Sequence, residues 1–118
     1  MSKLLIENKS GVLVLHYASD YLDLSFKEAV EAFIDSDEIP DNARILFNLE
    51  ENEALNSYGV SAFIMMFRHL DKKNGVLALC CFDKPMMKIT LRITGVIALY
   101  DQHVYTTEED AISALKKL

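Results

Sequence analysis

Residues 44–82 read RILFNLEENEALNSYGVSAFIMMFRHLDKKNGVLALCCF. The stretch opens on Arg44-Ile45-Leu46-Phe47-Asn48-Leu49, a compact strand signal. It closes on residues 76–82, continuously apolar as befits a strand buried on both faces. Between them, after the polar residues 50–56, a helix begins near Ser57. Its apolar residues Val60, Phe63, Ile64, Phe67 and Leu70 recur at three- and four-residue steps. Lys72 and Lys73 offset the dipole in its last turn, and Asn74-Gly75 supplies the stop. A strand, a helix and a second strand in this order call for a crossover connection, which favours parallel strands with the helix packed on one face.

The flanks extend the same pattern. Leu4-Leu5-Ile6 and Val12-Leu13-Val14-Leu15 are short apolar runs separated by the turn-forming Asn8-Lys9-Ser10-Gly11, which reads as a hairpin. A helix follows with Ser25 and Glu28 spaced as a capping box and Phe26, Ala29, Val30, Phe33 and Ile34 on one face, ending before Pro40. Downstream, Pro85 suits a first helical position, and Met86, Ile89 and Ile93 mark the helical period before Thr94-Gly95. A last short strand is expected within residues 96–105. A terminal helix capped by Thr106 with Glu109, or Thr107 with Asp110, runs through Ala111, Ile112 and Leu115. The expected architecture is a single α/β domain over residues 1–118. It has a mixed, mostly parallel sheet of about five strands, an N-terminal antiparallel hairpin and about four helices.

Composition narrows the function. The 118 residues carry 12 Lys plus Arg against 18 Asp plus Glu, a formal charge of −6, and 51% of them are hydrophobic. That is a globular composition, and a net-negative surface repels phosphate backbones and anionic headgroups, so neither nucleic acid nor membrane is an expected partner. Glu7 interrupts the N-terminal apolar run before a signal-peptide core forms, which points to the cytoplasm. Cys80 and Cys81 are neighbours in an apolar strand, where they would face opposite sides of the sheet, unreactive and unpaired.

Catalytic chemistry finds no foothold. His16, His69 and His103 have no metal-ligand spacing, and the isolated glycines form no phosphate cradle. Glu50, Glu51 and Glu53 lack the alternate-position ligands of a calcium loop. No cofactor and no enzymatic activity are expected. One place carries a chemical opportunity: Asn56-Ser57-Tyr58-Gly59, where a hydroxyl meets the N-terminus of the long helix. Ser57 reads as its N-cap. A phosphoryl group there would add roughly −1.5 to −2 charge beside Glu50, Glu51 and Glu53 and repel a partner fitted to a neutral hydroxyl.

The pattern resembles the STAS domain family over nearly the whole chain, in particular the bacterial anti-sigma factor antagonists. Ile45-Leu46-Phe47-Asn48-Leu49 looks like that family's central strand. Leu55-Asn56-Ser57-Tyr58-Gly59-Val60 stands at its signature of a hydrophobic residue followed by Asp-Ser-Ser/Thr-Gly-Leu, with Asn56 and Tyr58 replacing the acid and the second hydroxyl. Leu22-Asp23 falls at its Gly-x-Leu-Asp. The segment from Lys84-Pro85 to Thr94-Gly95-Val96 is similar to its later Ser-Pro helix ending in Ser/Thr-Gly-Leu. The resemblance implies a partner switch: the protein binds an anti-sigma factor that is also a serine kinase, is released when Ser57 is phosphorylated, and is reset by a PP2C-type phosphatase. The expected partner surface comprises Asp23, Asn56, Ser57, Tyr58, Gly59, Met66, Met86 and Met87. The alternative is a non-phosphorylated STAS scaffold or transport-accessory domain that binds a protein or small ligand.

Overall fold

The computed structural model describes residues 3–99 and 103–118. Met1 and Ser2, at the start of the segment read for a signal peptide, lie outside the described residues. So do residues 100–102, within the stretch expected to hold the last strand.

The main sheet has five strands in the order β1-β2-β4-β6-β7. The hairpin of β1 (Leu4–Lys9) and β2 (Val12–Tyr17) is antiparallel, and β2, β4 (Arg44–Asn48), β6 (Val76–Cys80) and β7 (Val104–Tyr105) run parallel. The mixed α/β sheet expected from residues 44–82 and their flanks is the one observed. A second, two-stranded parallel sheet pairs β3 (Tyr21–Leu22) with β5 (Ala54–Leu55).

Alternation along the strands divides the core in two. Leu15, Ile45, Phe47, Leu77 and Leu79 face α1 (Leu24–Asp35) and α2 (Ser57–Lys72), with α3 (Pro85–Ile93) and the short α4 (Val96–Leu99) completing that layer. Val12, Val14, Leu46, Ala78 and Cys80 face Ala111 and Leu115 of α5 (Glu108–Leu115) on the other side. At the centre, Phe26 packs on Tyr17, Phe47 and Phe63 with ring centroids 5.1, 5.9 and 5.5 Å apart, in tilted and edge-on arrangements that suit aromatic quadrupoles.

Three local expectations are corrected. The first helix begins at Leu24, because Asp23, two residues before the expected cap at Ser25, caps it by accepting from Ser25 N at 3.0 Å. The last strand, expected within residues 96–105, is Val104–Tyr105, and the short helix at residues 96–99 brings the helices to five among the described residues. On α2 the buried line is Gly59, Ala62, Phe63, Met66 and Leu70, rotated from the expected stripe. Two small residues on this line let the helix lie close, so Val60, Ile64 and Phe67 flank the core half-buried. Finally, β6 stops at Cys80, and Cys81 turns out of the strand at φ 65°. The terminal helix takes the second of its two possible caps, Thr107 Oγ1 accepting from Asp110 N at 3.1 Å.

Candidate functional site

The small β3–β5 sheet brings the starts of two helices together. Leu22 pairs with Leu55, and Asn56 N donates to Leu22 O at 3.2 Å, so the chain entering α1 through Asp23 lies beside the chain entering α2 through Asn56. Both helices are capped by the residue just before them: Asp23 for α1 and Asn56 for α2. Asn56 adopts an extended backbone (φ −106°, ψ −168°), and its Oδ1 accepts from Tyr58 N at 2.9 Å and Gly59 N at 3.3 Å. The expectation that Ser57 is the N-cap is therefore corrected. Asn is as good a cap as Ser and, standing one residue earlier, takes the orphan amides.

Ser57 is left as the first helical residue, exposed, with no hydrogen-bond partner for its hydroxyl among the described residues. Tyr58 is also exposed, and Lys27 of α1 places its ammonium 5.8 Å from the Tyr58 ring centroid, a cation–π contact joining the two helices. Gly59 faces inward, where a Cβ would stand 2.5 Å from Leu22 O. Glycine is thus what lets α2 press against β3. Of the expected surface residues, the fold gathers Asp23, Asn56, Ser57 and Tyr58 at one end of the molecule, while Gly59 is corrected from partner surface to the buried packing beneath them.

The methionines divide. Met66 and Met87 are both 0% exposed, Met66 on the core face of α2 and Met87 on that of α3, and both are corrected from partner surface to core. Met86 is 61% exposed. It heads an apolar stripe on α3, which packs against β5, continuing through Ile89 (50% exposed) and Ile93 (78% exposed). On β3 and α1, exposed Tyr21 and Leu24 add apolar area at the same end. The periodicity of Met86, Ile89 and Ile93 marked this face. The burial of Met87 and Leu91 a little further around the helix shows that it points outward.

The acidic loop is held in place. Buried Asn52 donates from Nδ2 to Tyr17 O at 3.0 Å and Ser19 O at 2.7 Å, and Glu53 N donates to Asp20 O at 2.7 Å. Lys84, just before α3, donates to the Glu50 carbonyl. These bonds fix Glu50, Glu51 and Glu53, all exposed, between the end of β4 and the start of α2. Asn52 is an anchor that no sequence signal singles out, since its partners are backbone carbonyls far away in the chain.

A second polar cluster lies at the start of α5, around its first residue, Glu108. The Glu108 carboxylate accepts from Lys9 Nζ at 2.7 Å and Asn48 Nδ2 at 2.9 Å, with His16 Nε2 3.5 Å away. Burial works to raise the Glu108 carboxyl, but these hydrogen bonds and the Lys9 charge outweigh it and hold the group below its ordinary value. The cluster lines a cleft of about 740 Å³ that also includes Cys81 and Phe82. Among the described residues, no three His, Cys, Asp or Glu side chains group to hold a metal ion, and no helix is long and apolar enough to cross a membrane.

A mixed sheet with its first hairpin at one edge, and a serine on the first turn of the helix after its central strand, define a small single-sheet α/β domain. The STAS domain profile matches residues 3–111, and the chain belongs to the STAS domain family. Solved structures with the same fold include an anti-sigma-factor antagonist (STAS) domain protein from Planctomyces limnophilus. It is 18% identical, with 95% of this chain and 97% of that one covered, at a TM-score of 0.82. A sulfate transporter family protein from Wolinella succinogenes is 16% identical over 91% and 86% of the two chains, at 0.77. The anti-sigma factor antagonist SpoIIAA in its unphosphorylated form is 22% identical over 98% and 99%, at 0.72. No curated protein matches by sequence.

Proposed function

We propose that this chain is an anti-sigma factor antagonist: a non-enzymatic, cytoplasmic switch that binds an anti-sigma factor with serine kinase activity and is released when Ser57 is phosphorylated. The observation that carries the reading is the division of labour at the start of α2. Asn56 satisfies the amides, so the Ser57 hydroxyl is exposed and has no capping duty to lose. A phosphoryl group there sits at the positive end of a 16-residue helix, which tolerates it. The partner does not: with Glu50, Glu51 and Glu53 already nearby in the chain, a surface fitted to this end must desolvate a further dianion. Around Ser57, Tyr58 and the Met86-Ile89-Ile93 stripe supply the apolar area that a protein interface buries at its centre. A PP2C-type phosphatase would restore the bound form.

Titration calorimetry of Ser57→Ala and Ser57→Asp against the cognate anti-sigma kinase tests the reading. Ser57→Ala is expected to bind as the parent does and Ser57→Asp at least tenfold more weakly, while equal affinities would leave Ser57 without a switching role. The likeness to a sulfate transporter family protein supports a second reading, a transport-accessory domain that binds a protein or small ligand without phosphorylation. Unchanged binding by both variants to a partner with no kinase activity would favour it.

A further inference from the structure

Adjacent residues on a continuing strand point to opposite faces, which would keep Cys80 and Cys81 apart. The strand does not continue: β6 ends at Cys80, and Cys81 lies in the left-handed region at φ 65°. The turn brings the two sulfurs to 3.1 Å, and both are free thiols. A side-chain-bearing residue rarely holds a positive φ unless its surroundings require it. Here Cys80 is fixed between Asn48 of β4 and Tyr105 of β7, and its carbonyl accepts from Leu49 N at 3.0 Å. Cys80 is fully buried, whereas Cys81 is half-buried and lines the cleft beside Glu50, Phe82 and Glu108.

We propose that Cys80 and Cys81 form a redox modification site at which a hydroperoxide entering the cleft closes the pair to a vicinal disulfide. In the first step the Cys81 sulfur attacks the terminal peroxide oxygen. The O–O bond breaks, an alcohol (water, for hydrogen peroxide) leaves, and Cys81 becomes a sulfenic acid. In the second step the Cys80 sulfur attacks the Cys81 sulfur. The S–S bond forms, the S–O bond breaks, and hydroxide departs as water with the Cys80 proton. The two thiols lose two electrons and the peroxide gains them. Burial pushes both thiols up, and for Cys81 the charges of Glu50 and Glu108 add to it, so both are protonated at neutral pH and the first step is slow. The second step is intramolecular between sulfurs already in contact, which is what favours ring closure over further oxidation. Ser57 does not line this cleft, and the ring closure needs no partner.

The full chain is treated with hydrogen peroxide, freed of oxidant, alkylated with iodoacetamide and mapped by mass. The expected product is a monomer lighter by two hydrogen atoms, with both thiols protected and both regained with dithiothreitol. Cys80→Ser is expected to stop at a Cys81 sulfenic acid trapped by dimedone. Cys81→Ser is expected to leave Cys80 unmodified inside the fold. If Cys80→Ser does not fold, the wild-type mass map decides alone. Two alkylated thiols after peroxide, disulfides between chains, or a Cys81 sulfinic acid beside a free Cys80 would each overturn the proposal.

Discussion

At the residue scale, Asn56 and Ser57 divide between them what one residue does in many helices. The Asn56 carboxamide holds two of the first amides of α2, and the Ser57 hydroxyl holds none among the described residues. Replacing a capping residue by alanine costs about 1 kcal/mol, whereas an exposed position without such a duty stays within about 0.5 kcal/mol. Urea unfolding should therefore rank Asn56→Ala as destabilised by about 1 kcal/mol and Ser57→Ala as nearly neutral. The reverse ranking would make Ser57 the cap. The four-residue signature alone leaves this open: Asn and Ser are both preferred caps, and only the backbone angles at residue 56 choose between them.

At the element scale, helix faces decide what is surface and what is core. Met86 and Met87 are neighbours in sequence but point to solvent and core respectively, as the helical period of 3.6 requires of adjacent residues. Met87→Ala should cost about 2–5 kcal/mol by leaving a cavity under α3. Met86→Ala should stay within about 0.5 kcal/mol in the same unfolding assay. Both were expected on the partner surface, and which of the two faces outward was not legible in the sequence, because it depends on how α3 docks on β5. The rotated face of α2 has a similar origin. A stripe of large apolar residues reads as the buried one, yet Gly59 and Ala62 are what permit close approach, and their small side chains give a weak hydrophobic signal.

The attachment of α5 supplies a pH signature. The Glu108 carboxyl has a folded pKa below its ordinary 4.5, so its contribution is present above that value and lost as pH falls through the folded pKa. Lys9, its partner, is raised above 10.5 chiefly by the Glu108 hydrogen bond, so its contribution is present below 10.5 and lost as pH rises through the folded pKa. Glu108→Gln should lower stability at neutral pH and flatten its fall below about pH 4.5, followed by urea melts across that range. An unchanged acid limb would place the acid sensitivity elsewhere. Nothing in the sequence links Lys9, Asn48 and Glu108, because residues from β1, β4 and α5 meet only once the sheet has formed.

At the scale of the whole molecule, the fold was legible because its decisive signals are local. A doubly buried strand, a long capped helix and a turn-linked hairpin are each read from consecutive residues. The site was legible only in part. Two separate motifs of the resemblance supplied Asp23 and the run from Asn56 to Gly59, and the β3–β5 pairing that unites them escaped because it is two residues long on each side. Charge takes on a more definite meaning as well. Part of the −6 lies in an exposed loop that Asn52 pins between β4 and α2, where a new dianion on Ser57 would oppose a docked partner. Incubation of the chain with its cognate anti-sigma kinase and ATP, followed by peptide mass mapping and a parallel assay of the complex, tests the central claim. The account predicts one phosphate on the peptide containing Ser57 and dissociation of the complex as it appears. A phosphate elsewhere, or none while a control antagonist is modified, would contradict it.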